Sequence, residues 1–330
     1  MKIGLSPLQG QVTFDETLRE CELAEAAGFD SVWLGEHHNN PILHPAPLLG
    51  LAAIATRTRR IRLGVGVLLL PLYHPVMVAE EGAMVDMISG GRLILGLGAG
   101  YAPEEFAAFG IPLNERGSRM DEGVQLLRRL WTETKVSHRG KHFEVTNATI
   151  SPRPLQQPRP PIWFGAWANT AIRRAARWGD AWFVGPSASL PELAPSARLY
   201  RDACRENGKG EGEVALFRYI FVAGSTQEAK ATAGPSFIHA FESMYFRWPH
   251  PVVKRPAGKL SIERLAEDRI ILGDPKTCID EIERFRKALN LKHLVCRFSV
   301  PGIARDACEE SFRLFTREIM PALRSGHSDC

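Results

Sequence analysis

The chain has 330 residues, 45% of them hydrophobic and 24% charged, with a formal net charge of +4 at pH 7. This is the composition of a globular protein with a large core, which excludes disorder over most of the chain. Basic residues are scattered among acids without a stripe of interleaved aromatic residues, which argues against nucleic-acid binding. The apolar run at residues 65–72 is too short to cross a membrane.

The six cysteines stand far apart with no CxxC pair, and no signal peptide follows Met1. In helices and core strands a free thiol behaves as a small hydrophobe. We therefore expect reduced cysteines and a cytoplasmic protein.

Strand-like and helix-like patterns alternate along the chain. Residues 2–6 form the first predicted strand, and Thr13 opens the first helix with a capping box to Glu16. Further strands are predicted at residues 30–34, 61–70, 92–97, 162–165, 181–184, 214–222 and 293–298. Further helices are predicted at residues 46–56, 75–88, 116–131, 170–178, 191–206, 275–289 and 304–323. Eight such units predict one α/β domain, a (β/α)8 TIM barrel over residues 1–330, with an open doubly wound sheet as the alternative.

Two insertions interrupt this rhythm, after strands four and seven. Residues 133–150 alternate around a turn at Gly140 and predict a β-hairpin. Residues 224–268 hold several prolines and are interpreted as an excursion without regular structure, of the kind that often forms a lid. Its apolar residues are Phe237, Phe241, Met244, Tyr245, Phe246 and Trp248. Packing on the barrel wall is the alternative, and the tail at 325–330 is expected to be disordered.

Enzymes on this fold place their chemistry in the loops that follow the strands. Glu36, His37 and His38 follow strand two, where an imidazole beside a carboxylate can titrate near neutral pH. Neighbouring side chains of an extended segment point in opposite directions, so only one histidine can face the barrel axis. A purely structural pair is one alternative. A metal site that also draws on His44 and His74 is disfavoured, because these four histidines show no HxH or HxxxH spacing.

Glycine-rich segments follow strands three and four. Gly64 and Gly66 lie inside a buried strand, which indicates a bulge or the close approach of a flat ligand. The loop with Gly98 and Ala99 misses the GxGxxG spacing and is followed by Pro103, so a Rossmann dinucleotide site is disfavoured.

Small and polar residues open the fifth helix, where backbone N–H groups can bind an anion. They are Ala166, Trp167, Ala168, Asn169 and Thr170. This pattern favours phosphate binding, with an ordinary capped helix as the alternative. Arg297, near the end of the last strand, is expected to point its charge into the barrel mouth.

Several segments, taken together, resemble the luciferase-like flavin monooxygenases. They are the Glu-Ala-Ala-Gly-Phe-Asp-Ser-Val-Trp-Leu-Gly-Glu-His-His stretch at residues 25–38, residues 70–76, 86–92 and 160–165, the Gly-Asp-Pro turn at 273–275, and residues 319–321. Each segment alone is only modestly similar to the family pattern, but the order and spacing of the segments together are specific. The similarity runs from residue 1 to residue 324.

The resemblance implies a barrel that binds reduced FMN, supplied by a separate flavin reductase. It also implies that His37 is the catalytic histidine and that Gly66–Val67 carries a non-proline cis peptide beneath the isoalloxazine ring. The expected catalytic residues are His37 and His38. The expected cofactor contacts are Gly66, Val67, Leu68, Gly98, Ala99, Ala166, Trp167, Ala168, Asn169, Thr170 and Arg297.

By the same resemblance, reduced flavin would react with O2 at C4a, and the peroxyflavin would transfer one oxygen atom to a small organic substrate. Leu5, Leu68 and Trp167 would keep the pocket dry. Bacterial luciferase has a phosphate-binding arginine where this chain has Ala99, which leaves the phosphate to the fifth helix and Arg297. A related branch uses the deazaflavin F420 for hydride transfer, and a non-catalytic flavin-binding accessory subunit is the third possibility. The Glu-His-His sequence favours an FMN enzyme over both.

The resemblance further implies a homodimer through the second and third helices. These helices carry more apolar residues than one inward stripe needs. The residues are Leu48, Leu51, Ile54, Met77, Val78, Met84 and Met87.

Overall fold

The computed structural model describes residues 1–10, 12–39, 43–246, 252–253, 255 and 258–325. Trp248 and residues 326–330 of the predicted tail lie outside the described residues, as does the side chain of Met244.

Eight parallel strands form a closed barrel. They are β1 Lys2–Leu5, β2 Ser31–Leu34, β3 Arg62–Val65, β4 Leu93–Gly98, β5 Ile162–Gly165, β6 Ala181–Val184, β7 Val214–Val222 and β8 Leu291–Arg297. Strand β8 pairs with both β7 and β1, so the sheet closes on itself. The prediction of a barrel rather than an open sheet is confirmed.

Eight helices surround the strands. They are α1 Phe14–Ala26, α2 Pro47–Arg57, α3 Pro75–Ser89, α4 Arg116–Thr132, α5 Asn169–Trp178, α6 Leu190–Glu206, α7 Pro275–Leu289 and α8 Arg305–Leu314. Helix α8 continues through a π-helical turn at Phe315–Ile319 into Met320–Ser325. The predicted capping box is present, because the Glu16 N–H donates to the Thr13 hydroxyl while the Glu16 carboxylate accepts from the Thr13 N–H.

Aromatic rings fill the barrel interior. Trp33 stacks on Trp163 and on Phe183, with ring centroids 4.8 and 4.9 Å apart. A Cβ atom at Gly64 would overlap the Trp33 indole, and one at Gly66 would lie 2.9 Å from the Phe183 ring. These glycines therefore make room for the protein's own rings in the barrel interior.

The third strand is shorter than predicted. The run expected at residues 61–70 breaks after Val65, and a short strand at Leu68–Leu69 pairs with β4. The break holds a cis peptide between Gly66 and Val67, as the resemblance implied. A Cβ atom at Gly165 would lie 3.1 Å from the Val67 side chain, and one at Gly98 would overlap it. Val67 therefore lies between the carboxyl ends of β4 and β5.

The two insertions differ in how well they were predicted. The strands Val136–Arg139 and Glu144–Ala148 pair antiparallel, as expected of a hairpin. The excursion was expected to be irregular, which is wrong for much of its described part. It contains the helix Thr226–Ala240, a π-helical turn at Phe241–Tyr245 and the helix Ile262–Asp268. Proline misled the prediction, because Pro235 lies within the first of these helices.

The apolar residues of α2 and α3 divide into two groups. Leu48, Leu51, Ile54 and Val78 are buried in the core, so they form the inward stripe and are not available to a partner. The three methionines are exposed by 53, 39 and 41%, in the order Met77, Met84 and Met87.

The described cysteines are unpaired and buried. Within the described ranges, no helix combines the length and apolar character needed to cross a membrane.

Candidate functional site

A histidine and a glutamate from two loops meet at the carboxyl end of the barrel. His37 follows β2, and Glu105 lies on the short helix Pro103–Ala108 that follows β4. Proline at the first helical position and acids in the first turn both stabilise a helix start. The Nδ1 atom of His37 lies 2.7 Å from Oε1 of Glu105, which also accepts a hydrogen bond from the His38 N–H at 2.9 Å. Glu105 is 3% exposed, and its Oε2 has no hydrogen-bond partner among the described residues.

This contact orients the His37 ring. A carboxylate only accepts, so Nδ1 carries the hydrogen and Nε2 keeps its lone pair in the neutral ring. Nε2 lies 3.4 Å from the Tyr101 hydroxyl, and the His37 side chain is 20% exposed. Partial burial of its hydroxyl and the nearby Glu105 charge raise the pKa of Tyr101, although the residue is half exposed, so the hydroxyl keeps its proton at neutral pH. Nε2 and this phenol therefore lie together at the barrel mouth.

The second histidine has a different carboxylate partner. His38 Nε2 lies 2.6 Å from Oε1 of Glu36, which also accepts from the Tyr73 hydroxyl at 2.6 Å. The other Glu36 oxygen accepts from the Leu69 N–H at 2.7 Å. The hydrogen bond to the Glu36 carboxylate raises the pKa of His38, against the effect of burial. This network joins the loop after β2 to the segment after β3, so the two histidines turn to different partners, as their adjacency predicted.

The start of α5 is open. The cap residue Ala168 makes no side-chain cap hydrogen bond, and Ala168, Asn169 and Thr170 are exposed. Gly98 at the end of β4 is in register with Gly165 at the end of β5, so Ala99 lies near this helix start. The open N–H groups fit a phosphate. Leu68 and Ala166 are 1 and 4% exposed, so their side chains belong to the floor of this region.

Arg297 lies elsewhere on the rim. Its Nη2 donates to the Ser6 hydroxyl at 2.8 Å, and its guanidinium carbon lies 5.5 Å from the Phe217 ring centroid. Strands β8 and β1 lie across the barrel from β4 and β5 in the cyclic strand order. The structure therefore brings together the candidate cofactor residues of β3 to β5, but not Arg297 with them.

Sequence reasoning missed three polar residues at this end, namely Tyr101, Glu105 and Gln9. The Pro-Glu-Glu sequence at 103–105 is a helix-start signal and could have drawn attention to Glu105. Gln9 accepts a hydrogen bond from the Gly35 N–H at 3.2 Å, while its own amide nitrogen is buried and has no partner among the residues that the structure describes. No sequence signal marks Gln9, because its contact joins two separate loops.

A depression of about 520 Å³ lies at the opposite, amino end of the barrel. Its lining includes Arg159, Asp180 and His293. Arg159 and Asp180 form a two-pronged ion pair at 2.7 and 3.0 Å. Among the described residues, no three His, Cys, Asp or Glu side chains are arranged to hold a metal ion.

Comparisons with known proteins cover almost the whole chain. The family model described as luciferase-like monooxygenase matches residues 1–290. The chain is 31% identical over 332 residues to the flavin-dependent trigonelline monooxygenase, oxygenase component, of Acinetobacter baylyi, covering 96% of this chain and 91% of that protein. It is 30% identical over 347 residues to the F420-dependent glucose-6-phosphate dehydrogenase of Amycolatopsis mediterranei, covering 98 and 99%. The crystal structure of monooxygenase RslO1 from Streptomyces bottropensis matches with a TM-score of 0.86 at 29% identity, covering 98% of this chain and 100% of that chain.

Proposed function

Because the chain belongs to the luciferase-like monooxygenase family and is an enzyme, we propose that it is a flavin-dependent monooxygenase. It takes reduced FMN from a separate flavin reductase and uses O2 to oxygenate a small organic substrate. The observation that carries the proposal is the His37–Glu105 pair, which orients the other imidazole nitrogen, Nε2, beside the Tyr101 hydroxyl at the barrel mouth.

The open start of α5 would hold the cofactor phosphate, through the backbone at Ala168, Asn169 and Thr170. The remaining cofactor contacts are assigned to Gly66, Val67, Leu68, Gly98, Ala99, Ala166 and Trp167. When bound, reduced FMN supplies the electrons that activate O2. Arg297 was a further candidate for the phosphate, but its place across the barrel favours another role.

His37 acts as the acid–base group. Glu105 fixes hydrogen on Nδ1, so Nε2 can accept a proton from the substrate or return one. The Tyr101 hydroxyl lies 3.4 Å from Nε2 and donates to it when hydrogen is fixed on Nδ1, which places the phenol beside the nitrogen that exchanges the proton. The excursion acts as a lid over β7, because its Tyr245 hydroxyl lies 2.8 Å from that of Tyr219 on this strand. A closed lid would exclude water from the reaction.

The test is a cofactor titration followed by an oxygen assay. Hydrogen bonds to charged groups contribute about 1.5–3 kcal/mol, so FMN should bind about tenfold or more tightly than riboflavin. Transfer of one oxygen atom to the substrate should require reduced FMN and should exceed the H2O2 formed without substrate. Equal affinity for FMN and riboflavin would remove the phosphate site. Tight binding of F420, with hydride transfer and no oxygen uptake, would instead assign the chain to F420-dependent chemistry.

We further propose a homodimer through the exposed part of α2 and α3. Met77, Met84, Met87 and Ile88 form an exposed apolar strip on α3, and Leu49 on α2 is 74% exposed. Sedimentation at micromolar concentration should give a dimer, and Met84→Glu should shift it toward the monomer. A wild-type protein that sediments as a monomer would contradict this assembly.

A further inference from the structure

Arg297 is a buried cation that forms no ion pair with any carboxylate in the described part of the chain, and its Nη2 donates to the Ser6 hydroxyl. It is 9% exposed, and its Nε has no hydrogen-bond partner within the described part of the chain. Glu20, whose pKa burial raises and the Arg297 charge lowers, accepts from the Leu8 N–H instead and forms no ion pair with Arg297. An unpaired charge inside a protein is costly, and such groups are concentrated at functional sites.

The position of Arg297 in β8 places its charge above the filled interior of the barrel. Val295, two residues earlier, packs with Trp33 and Phe183 in the interior cluster. Side chains two apart share a face of the strand, so Arg297 lies on the interior face as well. Its contact with Phe217, which packs against the same cluster, agrees with this placement. The guanidinium group therefore lies at the mouth, over the aromatic plug.

Other hydrogen-bond donors on this side of the mouth also lack an acceptor among the described residues. The Gln9 oxygen is fixed as the acceptor of the Gly35 N–H, so the atom left without a partner is the amide nitrogen, and Gln9 is 7% exposed. Tyr219 and Tyr245 share one hydrogen bond, which uses only one of their two hydroxyl hydrogens. Burial raises the pKa of Tyr245, while the Arg297 charge opposes that rise, so the two side chains are electrostatic neighbours.

We propose that the substrate of this enzyme carries a carboxylate, which Arg297 binds with the help of the Gln9 amide. A guanidinium group with a free N–H matches a carboxylate in charge and geometry. The inference rests on the proposed function, because it names the substrate class of the same site. It separates two anion sites at the mouth, with the cofactor phosphate at the start of α5 and the substrate carboxylate across the barrel on β8 and β1.

The experiment compares acids with their matched amides. Benzoate and benzamide, and hexanoate and hexanamide, are titrated into the FMN-bound protein without reductant, with tryptophan fluorescence and flavin absorbance as readouts. Each acid should bind about tenfold or more tightly than its amide. Arg297→Met should abolish this preference and leave the Kd for FMN within about twofold, while Arg297→Lys keeps part of the preference. Arg62→Met is the matched control, because Arg62 lies at the amino end of the barrel, and it should keep the full preference.

Two results would overturn the inference. The first is a wild-type protein that binds the acids no better than the amides, an outcome that does not depend on how any variant folds. The second is weaker FMN binding by Arg297→Met with riboflavin binding unchanged, which would assign Arg297 to the cofactor phosphate. If acids bind but no oxygen is consumed with reduced FMN, the proposed oxygenation fails while the carboxylate site stands.

Discussion

The two ends of the barrel treat their polar groups differently. At the amino end, Arg159 forms its ion pair with Asp180, and His293 Nε2 lies 2.7 Å from the Ser31 hydroxyl, which also accepts from the Trp33 indole N–H. At the carboxyl end, Gln9, His44, Glu105 and Arg297 each keep a buried polar atom without a partner among the described residues.

This difference distinguishes polar groups that stabilise the fold from polar groups that can bind another molecule. The amino end holds the depression of about 520 Å³, yet its ion pair and hydrogen bonds are made within the protein. The carboxyl end keeps buried donors and acceptors that another molecule can satisfy. Buried polar atoms without a partner therefore mark this site better than the size of a depression does. Arg218 is an exception among the described residues, because its Nε also lacks a partner while its other nitrogens donate to the carbonyls of Gly185, Phe217 and Ala188.

One histidine at each end of the barrel, His293 and His37, illustrates this difference. Burial lowers the pKa of His293 to about 3, so it stays neutral at any working pH, and it is 5% exposed. His37 is held by a carboxylate, and its side chain is 20% exposed. One ring is a structural group, and the other is accessible for proton transfer.

The largest predicted effect is on His37→Ala. A general acid–base group contributes about a hundredfold to ten-thousandfold, so turnover should fall within that range while thermal melting and FMN affinity change little. The matched change His293→Ala should do the opposite, because Ser31 loses a buried partner at a cost of about 1–3 kcal/mol. Full activity of His37→Ala with its substrate would refute the assignment. Loss of turnover in His293→Ala without loss of stability would contradict the assignment of a structural role to the amino end and a functional role to the carboxyl end.

Glu105→Gln should have a smaller effect. Glutamine can present its carbonyl oxygen or its amide to Nδ1, so the ring loses its fixed hydrogen and the electrostatic support of a carboxylate. As a positioning residue, Glu105 should affect kcat more than KM, with a fall of about tenfold to a hundredfold. A lower melting temperature with an unchanged kcat would make Glu105 merely structural.

The smallest effect is the pH-dependent stability supplied by His38. Its pKa is raised above the ordinary histidine value of 6.5, chiefly by the hydrogen bond to Glu36. Its stabilising contribution is therefore fully present below pH 6.5 and is lost as pH rises through the folded-state pKa. The melting-temperature difference between wild type and His38→Asn should be larger at pH 6 than at pH 9. A difference that grows with pH would contradict the Glu36–His38 pair.

Much of the fold follows from local sequence. Alternating patterns predicted all eight barrel strands, and β5, β6 and β7 begin and end where expected. The capping box of α1 depends on residues three apart, so the chain near it is sufficient to define it. The resemblance added the cis peptide at Gly66–Val67, which periodicity alone could not predict.

The placement of side chains from distant segments was decided only by the tertiary structure. His37 and Glu105 are 68 positions apart, and they meet because parallel strands bring their carboxyl ends to one rim. The same closure buries Leu51 and Ile54 while it leaves Met77 exposed, although all three are apolar. It also sets Arg297 across the mouth from the start of α5. The sequence determined which groups follow the strands, and closure of the barrel determined which of them meet, because register and burial depend on neighbours far away in the chain.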